Sequence, residues 1–366
     1  MEGLLILFIA LIFSVIIIFS SYTILYWYYS KKKQPKLKEF FPSITLIVPF
    51  YNEEFGIKDK IKDISKIYYK KDKLKILFVN DHSTDKSVEI IKKESKIIPF
   101  KVEILNNKGN QGKSNALNYA FKRITTEITA ITDADCPIDK NSIKFLAQNF
   151  QNEKIGGANA KMVMIKPKVS NKNYNDEQGY RRFYDIWRKG ESNLDSISIC
   201  NGALMSFRTN LIKEIILTSE VDDTELLLEV IKKNFRVVYD SRALVYEVLP
   251  TNSSERTKQK MRRIRGVIHV YLKNFKLVGK GKFGSVIYPY TLLTYVISPY
   301  LVFLGCLTYL ILLFKIPYLF LTLLLFLIPK IGSFARSFIY TQIIMALSPF
   351  FAKGWNTTKS SRMGEK

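Results

Sequence analysis

A chain of 366 residues has room for one or two domains, and its 56 lysines and arginines against 32 acidic residues leave a net charge of +24. No helix-turn-helix, zinc-finger or RNA-binding signature accompanies that charge, so nucleic acid is set aside as a partner in favour of a domain held against anionic lipid. Its 3 cysteines and 2 histidines exclude a disulfide framework and argue against a zinc site, which fits a reducing compartment.

Gly3 to Tyr29 contains no charged residue and is long enough to cross a bilayer. It lacks the basic start, the small-residue cleavage site and the short length of a cleaved signal peptide. Lys31, Lys32 and Lys33 follow at once, and the positive-inside rule then puts the next domain in the cytoplasm with the N-terminus outside.

From Phe41 to about Asn152, short β runs alternate with helical runs. Ser43–Val48, Leu74–Val79, Val102–Leu105 and Ile128–Thr132 read as strands; Ile57–Tyr69, Asp85–Lys96 and Lys113–Ile124 read as helices. This alternation implies an α/β fold, a mostly parallel sheet covered on both faces, which by prior is a nucleotide-binding architecture. Each strand ends in polar residues: Pro49 to Glu54, Asn80 to Asp85, Asn106 to Lys113, and Asp133-Ala134-Asp135. In an open parallel sheet those ends share one edge, where ligands bind. Two carboxylates one residue apart suit a hard divalent ion such as Mg²⁺ or Mn²⁺, although Asp-Ala-Asp-Cys-Pro is also good turn chemistry. Gly112-Lys113 at a helix start suits a phosphate, without the spacing of a P-loop. Thr84 or Asp85 is expected to cap the next helix, and His82 reads as a loop histidine.

Further along, Tyr180, Phe183, Tyr184 and Trp187 form an aromatic stripe at helical spacing, which is core more often than a lipid-facing surface. Thr224 to Asn234 reads as an amphipathic helix led by Asp222 and Asp223, either of which also serves as an N-cap. Arg256 to Arg265 is a basic helix suited to lipid headgroups. Apolar spans are expected at about Tyr288–Phe314 and Ile316–Ala335, with Ser337–Phe351 either an interfacial helix or a short third span. The basic tail (Lys353, Lys359, Arg362) favours a cytoplasmic C-terminus.

Val48-Pro-Phe-Tyr-Asn-Glu-Glu54, Val79-Asn-Asp-His-Ser-Thr-Asp85, Gly112-Lys-Ser-Asn-Ala-Leu-Asn118 and Thr132-Asp-Ala-Asp135, in that order, resemble the four opening motifs of the family 2 glycosyltransferases. Asn201 to Arg208 resembles that family's segment beside the sugar site, Asp222-Asp223 its Glu-Asp motif, and Gln259-Lys-Met-Arg262-Arg263 its Gln-x-x-Arg-Trp motif. Lys353-Gly-Trp355 with Thr358-Lys359 resembles the tail of membrane-bound members.

The resemblance implies an A-type glycosyltransferase fold, a Rossmann-like nucleotide-sugar-binding domain between N-terminal and C-terminal transmembrane helices. The expected blocks are an anchor (1–34), a cytoplasmic catalytic domain (41–250), a basic interfacial helix (251–286), apolar helices (287–352) and a basic tail (353–366). It also implies roles. Asp81 contacts the base, Asp133 lies near the ribose or metal, and Asp135 binds Mg²⁺ or Mn²⁺. Asp223 is the general base. Gln259 and Arg262 reach the diphosphate, and Pro49, Tyr51, Glu53, Lys113, Asn201 and Gly202 line the nucleotide-sugar site. Arg263 departs from the family's tryptophan, which weakens the case for a polymerising enzyme.

The expected activity is inverting transfer from a nucleotide sugar, UDP-sugar first and GDP-sugar second, to a lipid-linked or glycan acceptor at the bilayer. The alternatives are a processive polysaccharide synthase resembling poly-N-acetylglucosamine or hyaluronan synthases, and a non-catalytic membrane scaffold or sugar-nucleotide sensor. Oligomeric state is left open.

Overall fold

The structure is a computed structural model and describes residues 2–33, 37–165, 172–212, 214–215, 221–247, 253–327 and 329–350. The tail motif at Lys353 to Lys359 lies outside the described residues. In chain order the elements are α1 (Glu2–Ser30), β1 (Ile44–Phe50), α2 (Ile57–Ser65), β2 (Leu74–Asn80), α3 (Ser87–Glu94), β3 (Lys101–Asn106), α4 (Lys113–Phe121), β4 (Ile128–Thr132) and α5 (Ser142–Gln148). They continue with β5 (Ile155–Met164), α6 (Lys172–Leu194), β6 (Leu204–Arg208), α7 (Asp222–Lys232), β7 (Arg236–Glu247) and α8 (Ser253–Lys273). An apolar helix, α9 (Phe283–Lys315), a 3₁₀ run over Pro317–Leu327 and α10 (Pro329–Leu347) follow. Two compact units divide the chain: the described parts of 1–32, 167–191 and 251–356 form a helical unit, and those of 33–166 and 192–250 form an α/β unit. The described residues 172–191, expected inside the 41–250 block, therefore pack with the helical unit.

The α/β unit is built on a seven-stranded sheet in the order β3-β2-β1-β4-β6-β5-β7. β1 runs parallel to β2 and β4, and β2 runs parallel to β3. β6 is antiparallel to both β4 and β5, while β5 and β7 are parallel. Every residue of β1 and β4 is buried, which is why these strands read as continuous apolar runs rather than as alternating patterns. β-Branched residues fill them because such side chains fit a pleated surface packed on both faces. Helix α2 buries Ile57, Ile61 and Ile64, and with them Lys60, on one face against the core.

Several boundaries differ from the periodicity for tertiary reasons. The helix expected to run to Tyr69 stops at Ser65, because the Tyr68 N–H goes to the Lys140 carbonyl (2.8 Å) and the Tyr69 hydroxyl to that of Pro42 (2.7 Å). The helix expected from Asp85 starts at Ser87, since the Asp85 carboxylate takes the Ser87 N–H (3.0 Å) and the Glu54 N–H (2.9 Å). Helix α7 starts at Asp222 and is closed by Asn234 at φ 64°, a left-handed position that asparagine tolerates.

Among the described residues, α1 and α9 are long and apolar enough to cross a membrane. The span expected over Ile316–Ala335 is not one helix. Pro317 opens the 3₁₀ run and Pro329 opens α10; proline has no N–H to donate, and Ile316 before Pro317 is out of helical geometry at φ −134° and ψ 83°. The expected Ser337–Phe351 segment is accordingly the later part of α10 plus a 3₁₀ turn at Ser348–Phe350.

Within the helical unit, α1 and α6 meet closely. The Tyr22 hydroxyl donates to Glu191 (2.8 Å), Arg188 pairs with the same carboxylate (2.6 Å), and the Trp187 indole donates to Thr23 (3.2 Å). Of the aromatic stripe, Trp187 is buried and Phe183 exposed, and the Tyr180 side chain lies outside the described set. α8 packs Ile264 and Ile268 on Ile344 and Met345 of α10, and Ser298 of α9 donates to Gln342 (2.8 Å). Gly190 is required at the α1–α6 crossing: a Cβ there would lie 2.2 Å from the Tyr26 carbonyl oxygen. Backbone cannot yield as a side-chain tip can. Gly190→Ala is expected to destabilise this unit by about 1–3 kcal/mol, read as a lower thermal midpoint in detergent; an unchanged midpoint would show that the two helices part without cost.

Candidate active site

The parallel register places the ends of β1, β2, β3 and β4 on one edge, with Phe50 opposite Asn80 and Asn80 opposite Asn106. Pairing of β1 with β4 ends at Ile47 and Ile131, so Pro49 leaves no rung of that ladder unfilled. Beyond it, the loop from Tyr51 to Glu54 is laced to the loop after β2. Asn52 N donates to Ser83 Oγ (3.0 Å), Asn52 Oδ1 accepts from Thr84 N (2.8 Å), and Glu53 N donates to Ser87 Oγ (2.8 Å). Pro49, Tyr51 and Glu53 thus belong to one clamped segment at the sheet edge.

Asp81 follows β2 and is 3% exposed. One carboxylate oxygen accepts from Asn107 Nδ2 (2.9 Å) and the other from the Gly112 N–H (2.8 Å). Gly112 has φ +136°, a conformation that only glycine adopts readily. Asp81 thereby pins the loop that leads into α4, and a carboxylate with two bonds retains acceptor sites for a ligand. His82, at φ 64° in the same loop, contacts the Gly109 carbonyl through Nε2 (2.8 Å).

Lys113 opens α4, and its ammonium meets Asp133 Oδ1 at 2.6 Å. Burial pulls that lysine down, but Asp133, Asp222 and Asp223 outweigh it and hold the ammonium above its ordinary value. A Cβ built on Gly202 would stand 3.3 Å from Asp223 Oδ2 and 3.4 Å from Lys113 Nζ. Lys113, Asp133, Gly202 and Asp223 therefore converge, although Lys113 and Asp223 are 110 positions apart in the sequence. Asp223 Oδ1 accepts from the Thr224 N–H (2.6 Å), and Asp222 Oδ1 from the Asp223 N–H (3.1 Å). The N-cap position itself is Val221, so neither aspartate occupies it. Asn201 is fixed by a residue the motifs did not reveal: Asn159 of β5 accepts from its side-chain amide (3.1 Å) and donates to its carbonyl (2.9 Å). Gln259 and Arg262 belong to α8 of the helical unit, where Gln259 accepts from Arg256 (3.5 Å).

Asp135 reaches solvent, yet enough protein surrounds it that desolvation, and after it the Asp133 charge, raises its carboxyl above the ordinary value. Beneath this turn lies a second lysine. Lys60 of α2 is 2% exposed, donates to Thr132 Oγ1 (2.8 Å) and to the Cys136 carbonyl (2.6 Å), and is lowered by burial to about 8 against the pull of Cys136, Asp133 and Asp135. The sequence does carry a signal for it, a lysine within the apolar stripe Ile57, Ile61, Ile64.

Ligand atoms of Asp133, Asp135 and Cys136 lie within 4.8 Å of one another. Burial, with Asp135 and Asp133, pushes the Cys136 thiol well up, so it stays protonated and donates to Asp135 (3.5 Å). The remaining donors are hard carboxylate oxygens that already attract an ammonium group, and that set fits Mg²⁺ or Mn²⁺.

Residues 45–216 match the family model described as Glycosyl transferase family 2. The chain is 27% identical over 255 residues to "Probable glycosyltransferase YdaM" of Bacillus subtilis, covering 66% of this chain and 59% of that protein. It is 25% identical over 255 residues to the poly-beta-1,6-N-acetyl-D-glucosamine synthase of Staphylococcus aureus, covering 68% of this chain and 60% of that one. The chain thus spans less than two thirds of the length of these curated relatives. A solved mannosyltransferase, PcManGT of Pyrobaculum calidifontis in complex with GDP-Man and Mn2+, superposes with a TM-score of 0.77 at 20% identity, covering 94% of this chain and 99% of that one. That likeness speaks to the fold. Residues 45–216 are thus a family 2 glycosyltransferase domain, carried on a mostly parallel sheet with the A-type fold.

Proposed function

We propose that this chain is a membrane-anchored, inverting, metal-dependent glycosyltransferase that moves a hexosyl group from a nucleotide sugar to a lipid-linked acceptor on the cytoplasmic face. The observation that carries the reading is the convergence of Lys113, Asp133, Gly202 and Asp223, with Asp135 beside them, at the carboxyl edge of the sheet. A UDP-sugar is the first donor to test, and a GDP-sugar the second, since the neighbouring fold binds GDP-Man.

In this reading Asp81 and its loop receive the base, and Lys113 offers its charge to the diphosphate. Asp133 and Asp135 would hold Mg²⁺ or Mn²⁺, which supplies charge neutralisation to the leaving diphosphate. Asp223 takes the proton of the acceptor hydroxyl as that oxygen bonds to the anomeric carbon and the nucleoside diphosphate departs. Gln259 and Arg262 are assigned to the diphosphate, arginine's planar fork being suited to phosphate oxygens. Anchoring is supported by α1 and α9, whose apolar surfaces find a solvent in lipid. A domain tethered at the headgroup plane meets a lipid acceptor at high effective concentration.

A processive synthase is the second reading, favoured by the relatives that make poly-beta-1,6-N-acetyl-D-glucosamine. Arg263 stands where that class carries an aromatic for the growing chain. Membranes containing the protein, incubated with a panel of nucleotide sugars and followed by mass analysis of the lipid fraction, separate the two. A single added hexose on a lipid is expected; a ladder of sugars would favour the synthase, and donor binding without any product would favour a sensor.

Asp223→Asn is expected to lower transfer to a hydroxyl acceptor by about 10²–10⁴-fold while nucleotide and metal binding stay near wild type; unchanged turnover would remove Asp223 from the mechanism. Asp135→Ala is expected to weaken Mn²⁺-dependent UDP binding by at least about tenfold, the loss of one charged ligand, in a calorimetric titration. Normal Mn²⁺-stimulated binding in that variant would contradict the metal assignment.

A further inference from the structure

Among the described residues of the α/β unit, Lys60 is the one buried ammonium that the proposed chemistry leaves without a task. It lies on the apolar face of α2 between Ile57, Ile61 and Ile64, each 0% exposed, where a charge is costly unless compensated. Its two hydrogen bonds go to the residues directly before and after the Asp133–Asp135 turn, Thr132 and Cys136. Thr132 passes the constraint on, donating to the Ala203 carbonyl (2.8 Å) beside Gly202. Only 2% exposed, Lys60 has no surface to offer a substrate, so whatever it does reaches the reaction through this turn. At neutral pH a lysine lowered to about 8 is still mostly charged.

The other cation, Lys113, is divided between Asp133 and the Asp222–Asp223 pair. Lys60 is the fixed positive charge beneath the turn itself. A cation held there opposes the arrival of a second cation at the same carboxylates, whereas the oxygens of a diphosphate restore the missing negative charge. Hydrogen bonding alone would be served by a neutral donor.

We infer that Lys60 is a built-in counter-cation that keeps the Asp133–Asp135 turn weak for a bare divalent ion, so that metal and nucleoside diphosphate bind and leave together. The inference rests on the metal role proposed for Asp133 and Asp135. It makes the coupling between metal and nucleotide a property of this lysine, and by linkage each ligand tightens the other by the same factor. It also implies that the resting protein carries no metal after washing.

The test titrates Mn²⁺, alone and with saturating UDP or GDP, into the full-length protein in detergent, reading free Mn²⁺ by electron paramagnetic resonance. Lys60→Met removes the charge and both hydrogen bonds; Lys60→Gln removes the charge but keeps an amide donor. Both variants are expected to bind Mn²⁺ alone about tenfold more tightly than wild type, with the extra tightening by nucleotide reduced by a similar factor. Equal or weaker binding of Mn²⁺ alone in both variants overturns the inference. So does weaker binding in Lys60→Met with wild-type binding in Lys60→Gln, which would mean that the lysine acts by hydrogen bonding only. Where Lys60→Met fails to fold, judged by its thermal midpoint, Lys60→Gln decides. Asp135→Ala, run beside them, separates the two levels. If it loses Mn²⁺–nucleotide binding while the Lys60 variants show no tightening, the Lys60 inference alone falls. If Asp135→Ala binds as wild type, the metal assignment falls and takes the inference with it.

Discussion

Everything at the candidate site depends on the parallel register of β1, β2, β3 and β4. Parallel strands deliver their carboxyl ends to the same side, so Asp81, Asn107 and Asp133 emerge together although a helix separates each from the next. The antiparallel strand β6 then brings Ala203 and Gly202 back toward the end of β4, Leu204 pairing with Thr132. An antiparallel strand starts where its neighbour stops, and this is why the segment at Asn201–Gly202 arrives beside Asp133 rather than at the far end of the sheet. The glycine is then needed because Asp223 and Lys113 occupy the space a side chain would take.

Charge is the second organising constraint. Asp133, Asp135, Asp222 and Asp223 are gathered on one small surface, and like charges at that spacing repel strongly away from bulk water. The protein answers with two lysines of different kinds. Lys113 is partly exposed and shared among several carboxylates. Lys60 is sealed in the core and bonded to a hydroxyl and a carbonyl, so it stays where it is. In the proposed reading the exposed cation meets the ligand, and the sealed one sets the background field in which binding takes place.

The loops at this edge are held by polar contacts. Asn52 and Ser83, Glu53 and Ser87, and Gly112 and Asp81 pair backbone N–H donors with side-chain acceptors from other segments of this edge. Such pairing matters because loops carry backbone groups with no strand or helix to satisfy them, and a site built on satisfied loops holds its shape before the ligand arrives. The helical unit uses a different device, the close approach of α6 to α1 at Gly190 and the buried Arg188–Glu191 pair with Tyr22.

The amino-acid sequence by itself determined the α/β alternation, the four polar strand ends, the apolar N-terminal helix and the identity of the acidic residues. Those features are local: hydrophobic periodicity and turn chemistry are written in neighbouring residues. The strands β5, β6 and β7 and the antiparallel turn of β6 were not legible, because pairing partners and strand direction are settled between segments far apart in the chain. Helix ends moved for the same reason, as where the Tyr68 N–H left the helix for the Lys140 carbonyl. Only the tertiary structure decided that Asn159 orients Asn201, that Asp81 uses both oxygens on the loop before α4, and that a lysine on an isoleucine stripe lies under the Asp133–Asp135 turn. In each case the side chain's role comes from what is packed against it, and sequence neighbours carry no record of that.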